Sequence, residues 1–249
     1  MTATYVALAL AALLLLTMPV FAIVSRNRPV DADVARRRTT VLLGRWVRDW
    51  LMWVIAPIER ALVASRVSPD VFNVLGALMG LAAGIAFARR ALPLGGWLLL
   101  LSGLCDILDG RIARARGLAS RFGEFLDSML DRFAEVFAFA GIAWYFEPSR
   151  SAAAVTLLAL GGSMLVSYAR AKGGEAGTDF RGGVMQRAER LVLLALSSLL
   201  DGVVTAALDW RPGSLLLGVV ALIAAGSLGT AAYRTAYVAR LLRGKKESR

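Results

Sequence analysis

The residues best suited to chemistry are four aspartates in one short stretch. Asp106 and Asp109 stand three apart, and Asp127 and Asp131 stand four apart. On helices, each spacing puts both carboxylates on one face. Gly110, Gly117 and Gly123 mark the intervening loop, which lets the two helices pack antiparallel so that the four carboxylates meet. At a rise of about 1.5 Å per residue, Asp131 stands roughly 12 Å along its helix from Gly123. Converging carboxylates repel one another unless cations sit among them, and oxygen-only ligands suit hard ions such as Mg2+ or Mn2+. Two such ions about 3.5–4 Å apart clamp the attacking and leaving oxygens of phosphoryl transfer. The chain has no His and a single Cys, Cys105, so imidazole chemistry and an internal disulfide are excluded. Cys105 is a soft ligand unsuited to Mg2+ and reads as a small packing residue. Arg132 and Glu135, next along the helix, read as a local pair or as supports for the carboxylates.

The elements that must carry these residues follow from composition. The 249 residues are 57% hydrophobic with a mean hydropathy of +0.62, yet 29 Lys+Arg against 18 Asp+Glu give a net charge of +11. A soluble domain has an apolar share nearer about 45–50%. A nucleic-acid binder gathers its basic residues on one polar, aromatic-studded surface, whereas here they fall in clusters between apolar runs, so no nucleic-acid partner is expected. The class is an all-α polytopic membrane protein. Its predicted spans are residues 5–24, 70–88, 92–108, 121–145, 152–169, 190–208 and 214–237, each near the ~20 residues of a crossing. Connections on one side hold Arg111, Arg114, Arg116 and Arg121, then Arg170, Lys172, Arg181, Arg187 and Arg190, then Arg240, Arg243, Lys245, Lys246 and Arg249. Those on the other hold only Arg89, Arg90, Arg150 and Arg211. The positive-inside rule therefore orients all the helices consistently, with the aspartates facing the cytoplasm across the inner (plasma) membrane.

This gives a six-helix transmembrane bundle with an extra N-terminal transmembrane helix and an amphipathic juxtamembrane helix. Residues 1–25 form a retained anchor, its N-terminus outside. Residues 26–67 form a basic linker and an amphipathic interfacial helix, read over 39–66 from Trp46, Trp50 and Trp53 alternating with Arg45, Arg48, Asp49, Glu59 and Arg60. Residues 68–240 carry the bundle and 241–249 a basic tail. Glycines spaced by four from Gly76 to Gly84 read as sites of close helix packing.

The pattern D-x-x-D-G-x-x-A-R-x8-G-x-x-x-D-x-x-x-D, running from Asp106 to Asp131, resembles the signature of the CDP-alcohol phosphatidyltransferase family at every fixed position. The resemblance covers about residues 54–238 and leaves the N-terminal anchor outside it. It implies six transmembrane helices, a homodimer, two divalent ions, and transfer of a phosphatidyl group from CDP-diacylglycerol to a small polar alcohol with release of CMP. Position by position, it implies that Asp106, Asp109, Asp127 and Asp131 ligate metal and that Asp131 is also the general base toward the acceptor hydroxyl. It places Gly110, Arg114 and Ser120 on the CDP moiety, Arg114 at the diphosphate. Asp70, Val71, Phe72 and Asn73, in the turn Ser68-Pro69-Asp70, match the start of the family's first helix, which lines the cytidine pocket. Simple N-capping is the competing reading for Asp70 and Asn73.

The segments Ser167-Tyr168-Ala169-Arg170-Ala171-Lys172 and Gln186-Arg187-Ala188-Glu189-Arg190 resemble those of the phosphatidylinositol-phosphate synthase subgroup, with Ala188 where Pro is usual. That likeness implies that Arg170, Lys172, Arg187 and Arg190, with Arg234 on the last helix, hold the phosphate of inositol phosphate. A cluster of cations suits a phosphorylated acceptor better than a neutral one; glycerol 3-phosphate and serine are the alternative acceptors. Two rivals use similar residues. An aspartate-rich prenyltransferase would carry two separate acidic blocks without the A-R and eight-residue spacer, and a cation transporter would carry acidic residues deep in several helices.

Overall fold

The computed structural model describes residues 2–36, 44–178 and 182–247. Residues 39–43 of the predicted amphipathic segment, Arg181 of the basic cluster and the terminal Arg249 lie outside this range. Among the described residues the chain is helical throughout its regular structure, with no strand. The helices are α1 (Thr2–Val24), α2 (Ala32–Arg36), α3 (Arg45–Ala64), α4 (Pro69–Ala88), α5 (Leu92–Ala115), α6 (Arg121–Tyr145), α7 (Arg150–Glu175), α8 (Arg187–Ala207) and α9 (Ser214–Glu247). Among the described residues, α4, α5, α7, α8 and α9 are helices long and apolar enough to cross a membrane. Helix α6 is long enough at 25 residues, but Asp131, Arg132 and Glu135 fall even in its most apolar stretch, because this helix carries half of the aspartate motif.

Three predicted ends move. Helix α5 runs on past Leu108 to Ala115, so Asp109, Gly110 and Arg114 are helical rather than in a loop. Hydropathy stops at the last lipid-compatible residue, whereas the backbone stops at a cap. That cap is at Gly117, whose φ of 66° is the left-handed conformation, with Leu118 N–H donating to the carbonyl of Ala113 at 2.8 Å and Gly117 N–H to that of Arg114 at 3.2 Å. This is the pair of bonds that closes a Schellman helix end. Helix α7 likewise carries Arg170 and Lys172 in its last turns, since nothing before Gly173 and Gly174 interrupts it. Helix α9 continues to Glu247, 34 residues or about 51 Å.

The chain divides into two compact units, Met1–Met79 with Leu101–Asp131, and Gly80–Leu100 with Arg132–Arg249. In the first, α3 packs on α1: Trp50 Nε1 donates to Thr17 Oγ1 at 2.8 Å, and Phe21, fully buried, stacks edge-on against Trp46 and tilted against Trp53. The amphipathic pattern thus turns its tryptophans to α1. Pro69 opens α4 in the first helical position, where its missing N–H is harmless, and Ser68 Oγ accepts the Asp70 N–H at 3.3 Å. The cap is therefore Ser68, which leaves the Asp70 side chain out of the capping role. Gly76 packs against Cys105, the small contact expected of that cysteine, and Ser102 Oγ donates to the Gly76 carbonyl at 2.8 Å.

In the second unit, Ala83, Phe87, Leu99, Phe139, Ile142, Ala159, Ala195, Leu216 and Ile223 form one buried core. Gly80, Gly84 and Gly141 bring the α4 and α6 backbones together so closely that a Cβ on any of them would overlap Ala134, Phe137 or Gly84, which is the packing predicted for the four-residue glycine spacing. Asp201 of α8 is 1% exposed. It accepts the N–H groups of Gly213 at 2.7 Å and of Leu215 and Leu216 at 3.1 Å, so a carboxylate from one helix caps the start of the next.

Candidate active site

The Schellman end of α5 and the Ser120 cap of α6 set the two halves of the aspartate motif facing one another. Ser120 Oγ accepts the Gly123 N–H at 3.1 Å, so the hydroxyl expected at the nucleotide also holds the helix start. Carboxylate oxygens of Asp106, Asp109 and Asp127 all lie within 4.8 Å of one another. Asp109 is buried at 5% exposure, and the other two are half-buried. At an effective dielectric of about 20, two like charges about 5 Å apart repel by about 3 kcal/mol. Three such carboxylates with no soft donor among them fit a hard divalent cation. Asp131 lies one turn beyond Asp127 on α6, half-buried, and stands outside that group of oxygens.

Gly110 has a local reason beyond approach to a ligand. A Cβ there would come within 3.1 Å of Arg114 Nη1, so the missing side chain makes room for the Arg114 guanidinium to lie back over its own helix. The partner of that guanidinium is not visible in the motif. Arg114 Nη2 meets Asp33 Oδ2 at 2.8 Å. One turn earlier, Arg111 bonds Glu59 Oε2 at 2.6 Å and Asp31 at 3.0 Å, with Asp33 at 3.7 Å. The linker of residues 31–36 is thereby tied to α5, the first helix of the aspartate motif, by two guanidiniums. Burial pushes the Asp31 carboxyl up, but its hydrogen bond to Arg111, that guanidinium's charge, and the N–H groups of Asp33 and Val34 outweigh it and hold the group below its ordinary value of 3.8. Asn73 is buried and Asp70 and Phe72 half-buried at the start of α4, while Val71 is exposed. Arg116 Nη1 donates to the Val67 carbonyl at 2.7 Å, fastening the entry to α4 to the end of α5.

In the second unit the basic residues expected at an acceptor divide. Arg190 is 1% exposed, with Nε on Glu135 Oε1 at 2.7 Å and Nη1 on the Met185 carbonyl at 3.3 Å; its buried Nη2 has no hydrogen-bond partner among the described residues. Arg234, also buried, donates to the carbonyls of Gly182 at 2.8 Å and Val166 at 2.9 Å. Arg170 and Arg190 lie within electrostatic reach of Arg234, and Arg187 within reach of Glu135. Lys172 is turned outward, 2.7 Å from Glu175 and over the Tyr168 ring. Arg132 pairs with Glu135 at 3.4 Å, as the local reading expects. Sequence reasoning missed the anchoring of Arg190 by Glu135, which is 55 residues away, and assigned no role to Glu189 within the resembling segment, a carboxylate 1% exposed with neither oxygen hydrogen-bonded among the described residues.

Residues 66–231 match the model of the CDP-alcohol phosphatidyltransferase family. The chain belongs to this family. It is similar to the phosphatidylinositol phosphate synthase of Streptomyces avermitilis, 32% identical over 225 residues, spanning 88% of this chain and 89% of that one. Crystal structures of the phosphatidylinositol phosphate synthase of Mycobacterium tuberculosis, one with CDP-DAG bound and one with manganese and citrate, superpose with a TM-score of 0.65 at 30% identity. They cover 73% of this chain and 92% and 87% of theirs. This CDP-alcohol phosphatidyltransferase is thus an integral membrane enzyme of the transferase class that uses Mg2+ or Mn2+, and its Asp106, Asp109 and Asp127 carboxylates stand close enough together to hold such an ion. Helices α1, α2 and α3 precede the matched residues, and Asp31, Asp33 and Glu59, the partners of Arg111 and Arg114, come from that preceding part.

Proposed function

We propose that this phosphatidyltransferase moves the phosphatidyl group of CDP-diacylglycerol to a hydroxyl of inositol phosphate and releases CMP. The observation that carries the acceptor is the gathering of Arg170, Arg190 and Arg234, two of them buried, with a buried Arg190 Nη2 that no described residue satisfies. Buried like charges with an unused donor suit a phosphate, which accepts at several oxygens at once. Asp106, Asp109 and Asp127 would hold the metal, with Asp131 as a further ligand, and the bound ions would supply positive charge against the charge of the diphosphate. Arg114 grips the diphosphate, and Gly110, Ser120 and the residues from Asp70 to Asn73 receive the rest of the CDP moiety. A carboxylate oxygen of Asp131 takes the proton of the acceptor hydroxyl as its oxygen bonds to phosphorus and the CMP oxygen leaves with its electron pair. The enzyme works as a homodimer in the inner membrane with this site toward the cytoplasm, the side favoured by the basic connections.

The test is release of CMP by the purified protein with Mg2+ or Mn2+ and CDP-diacylglycerol, across inositol phosphate, glycerol 3-phosphate and serine. Inositol phosphate should be the preferred acceptor, chelation of the metal should stop release, and Asp131→Asn should slow it about 100-fold or more. Absence of release with every acceptor, or full release by Asp131→Asn, would overturn the reading; preference for another acceptor would overturn the inositol assignment alone.

A further inference from the structure

The helices that precede the family-matched residues form a groove of their own. It has a volume of about 660 Å³ and is lined by Thr17 of α1, Arg28 just beyond that helix, and Trp53, Val54, Ala56, Pro57 and Arg60 of α3. Its body is apolar and it carries two guanidiniums. Thr17 Oγ1 is already engaged by Trp50, so the hydrogen-bonding capacity left in the groove is chiefly that of the arginines. Arg28 Nη1 is buried with no hydrogen-bond partner among the described residues. Arg60 is exposed, and its Nε makes a 3.3 Å bond to the Ala56 carbonyl of its own helix.

We infer that this groove is a binding site for an anionic glycerophospholipid of the bilayer, its phosphate held by Arg28 and Arg60 and its upper acyl chain laid along Trp53, Val54 and Pro57. The chemistry fits at both ends. A buried, unsatisfied guanidinium N–H is costly until an acceptor meets it, and a phosphate ester presents the acceptor geometry that arginine matches best. An apolar trough opening beside it suits a chain already at that depth, because α1 is apolar over residues 5–24 and Arg28 stands just beyond that run, at the headgroup level. A soluble anion would use the arginines and leave the trough empty; a neutral lipid would use the trough and leave Arg28 unsatisfied. None of these lining residues falls in the family-matched range or in the catalytic set.

Native mass spectrometry of the full chain in neutral detergent, with phosphatidylglycerol or phosphatidylcholine of identical chains, tests the site. The wild type should retain phosphatidylglycerol about tenfold better than phosphatidylcholine, and Arg28→Gln with Arg60→Gln should lose about that factor. Arg26→Gln with Arg45→Gln removes the same charge from exposed positions outside the groove and should retain phosphatidylglycerol like the wild type. Arg28→Lys with Arg60→Lys, which keeps the charge but loses the bidentate fork, should fall between the two. Equal retention of the two lipids, undiminished retention by the groove variant, or an equal loss in the charge-matched control would each overturn the site. Displacement of the bound lipid by inorganic phosphate alone would overturn the part played by the acyl chain.

Discussion

The contact between Arg114 and Asp33 gives the sharpest prediction about the donor. In the proposed mechanism Arg114 holds the diphosphate of CDP-diacylglycerol, and in the protein alone its Nη2 rests on Asp33 Oδ2 at 2.8 Å. Donor binding must then exchange one anion for another at the same guanidinium, and the free energy of the ion pair subtracts from donor affinity. The side chains are 44% and 28% exposed, so the pair belongs to the solvent-screened class worth about 0.2–1 kcal/mol. With about 1.4 kcal/mol per tenfold change, Asp33→Asn should tighten donor binding by about 1.4- to 5-fold. The amide keeps the size of the side chain, and Asp31 and Glu59 still hold Arg111 at 3.0 and 2.6 Å, so the linker should stay in place. The assay is the initial rate of CMP release against the surface concentration of CDP-diacylglycerol in mixed micelles. KM for the donor should fall by that factor with kcat unchanged, and the difference should shrink as salt rises toward about 1 M, where the Debye length is about 3 Å. An unchanged or raised donor KM in Asp33→Asn, or a difference that salt does not move, would refute the exchange.

Two further outcomes concern the scaffold. The folded Asp31 carboxyl sits below its ordinary 3.8 because Arg111 holds its charged form. Its stabilisation is therefore complete above the ordinary value and lost only as pH falls through the lower folded value. Hydrogen exchange of a peptide covering residues 25–36 should be unchanged from pH 7 to about 5 once corrected for intrinsic rate, and protection should fail only below the ordinary carboxylate range. Asp201→Ala removes the acceptor of three N–H groups. At about 1–3 kcal/mol for each buried donor left unmade, partly relieved by water, it should cost about 3 kcal/mol and lower the melting temperature by about 6–12 °C, with Asp201→Asn losing less.

The sequence made the motif legible because its spacings are helical spacings: Asp106 with Asp109, and Asp127 across the Gly117 turn, meet as the pattern requires. What it did not reveal depends on contacts distant along the chain or on backbone partners. Nothing in the linker identifies Asp31 and Asp33 as partners for arginines about eighty residues later. Arg234 looks like another basic residue until its carbonyl partners, Gly182 and Val166, are seen. Lys172 reads as equal to Arg170 in the sequence, and the nearby Glu175 turns it outward. The helix ends moved for a related reason: Leu108 ends the apolar run, whereas Gly117 ends the helix.

The Asp201 cap also bears on how the enzyme enters its membrane. Asp201 lies about 9 Å from the C-terminal end of α8, where a carboxylate adds up to about 3 kcal/mol to the insertion of an isolated helix. The N–H groups that offset this belong to Gly213, Leu215 and Leu216, which emerge from the ribosome only after α8 is complete. Helices α8 and α9 are therefore suited to leave the translocon together as a hairpin, the second helix supplying the hydrogen bonds that make the first one compatible with lipid.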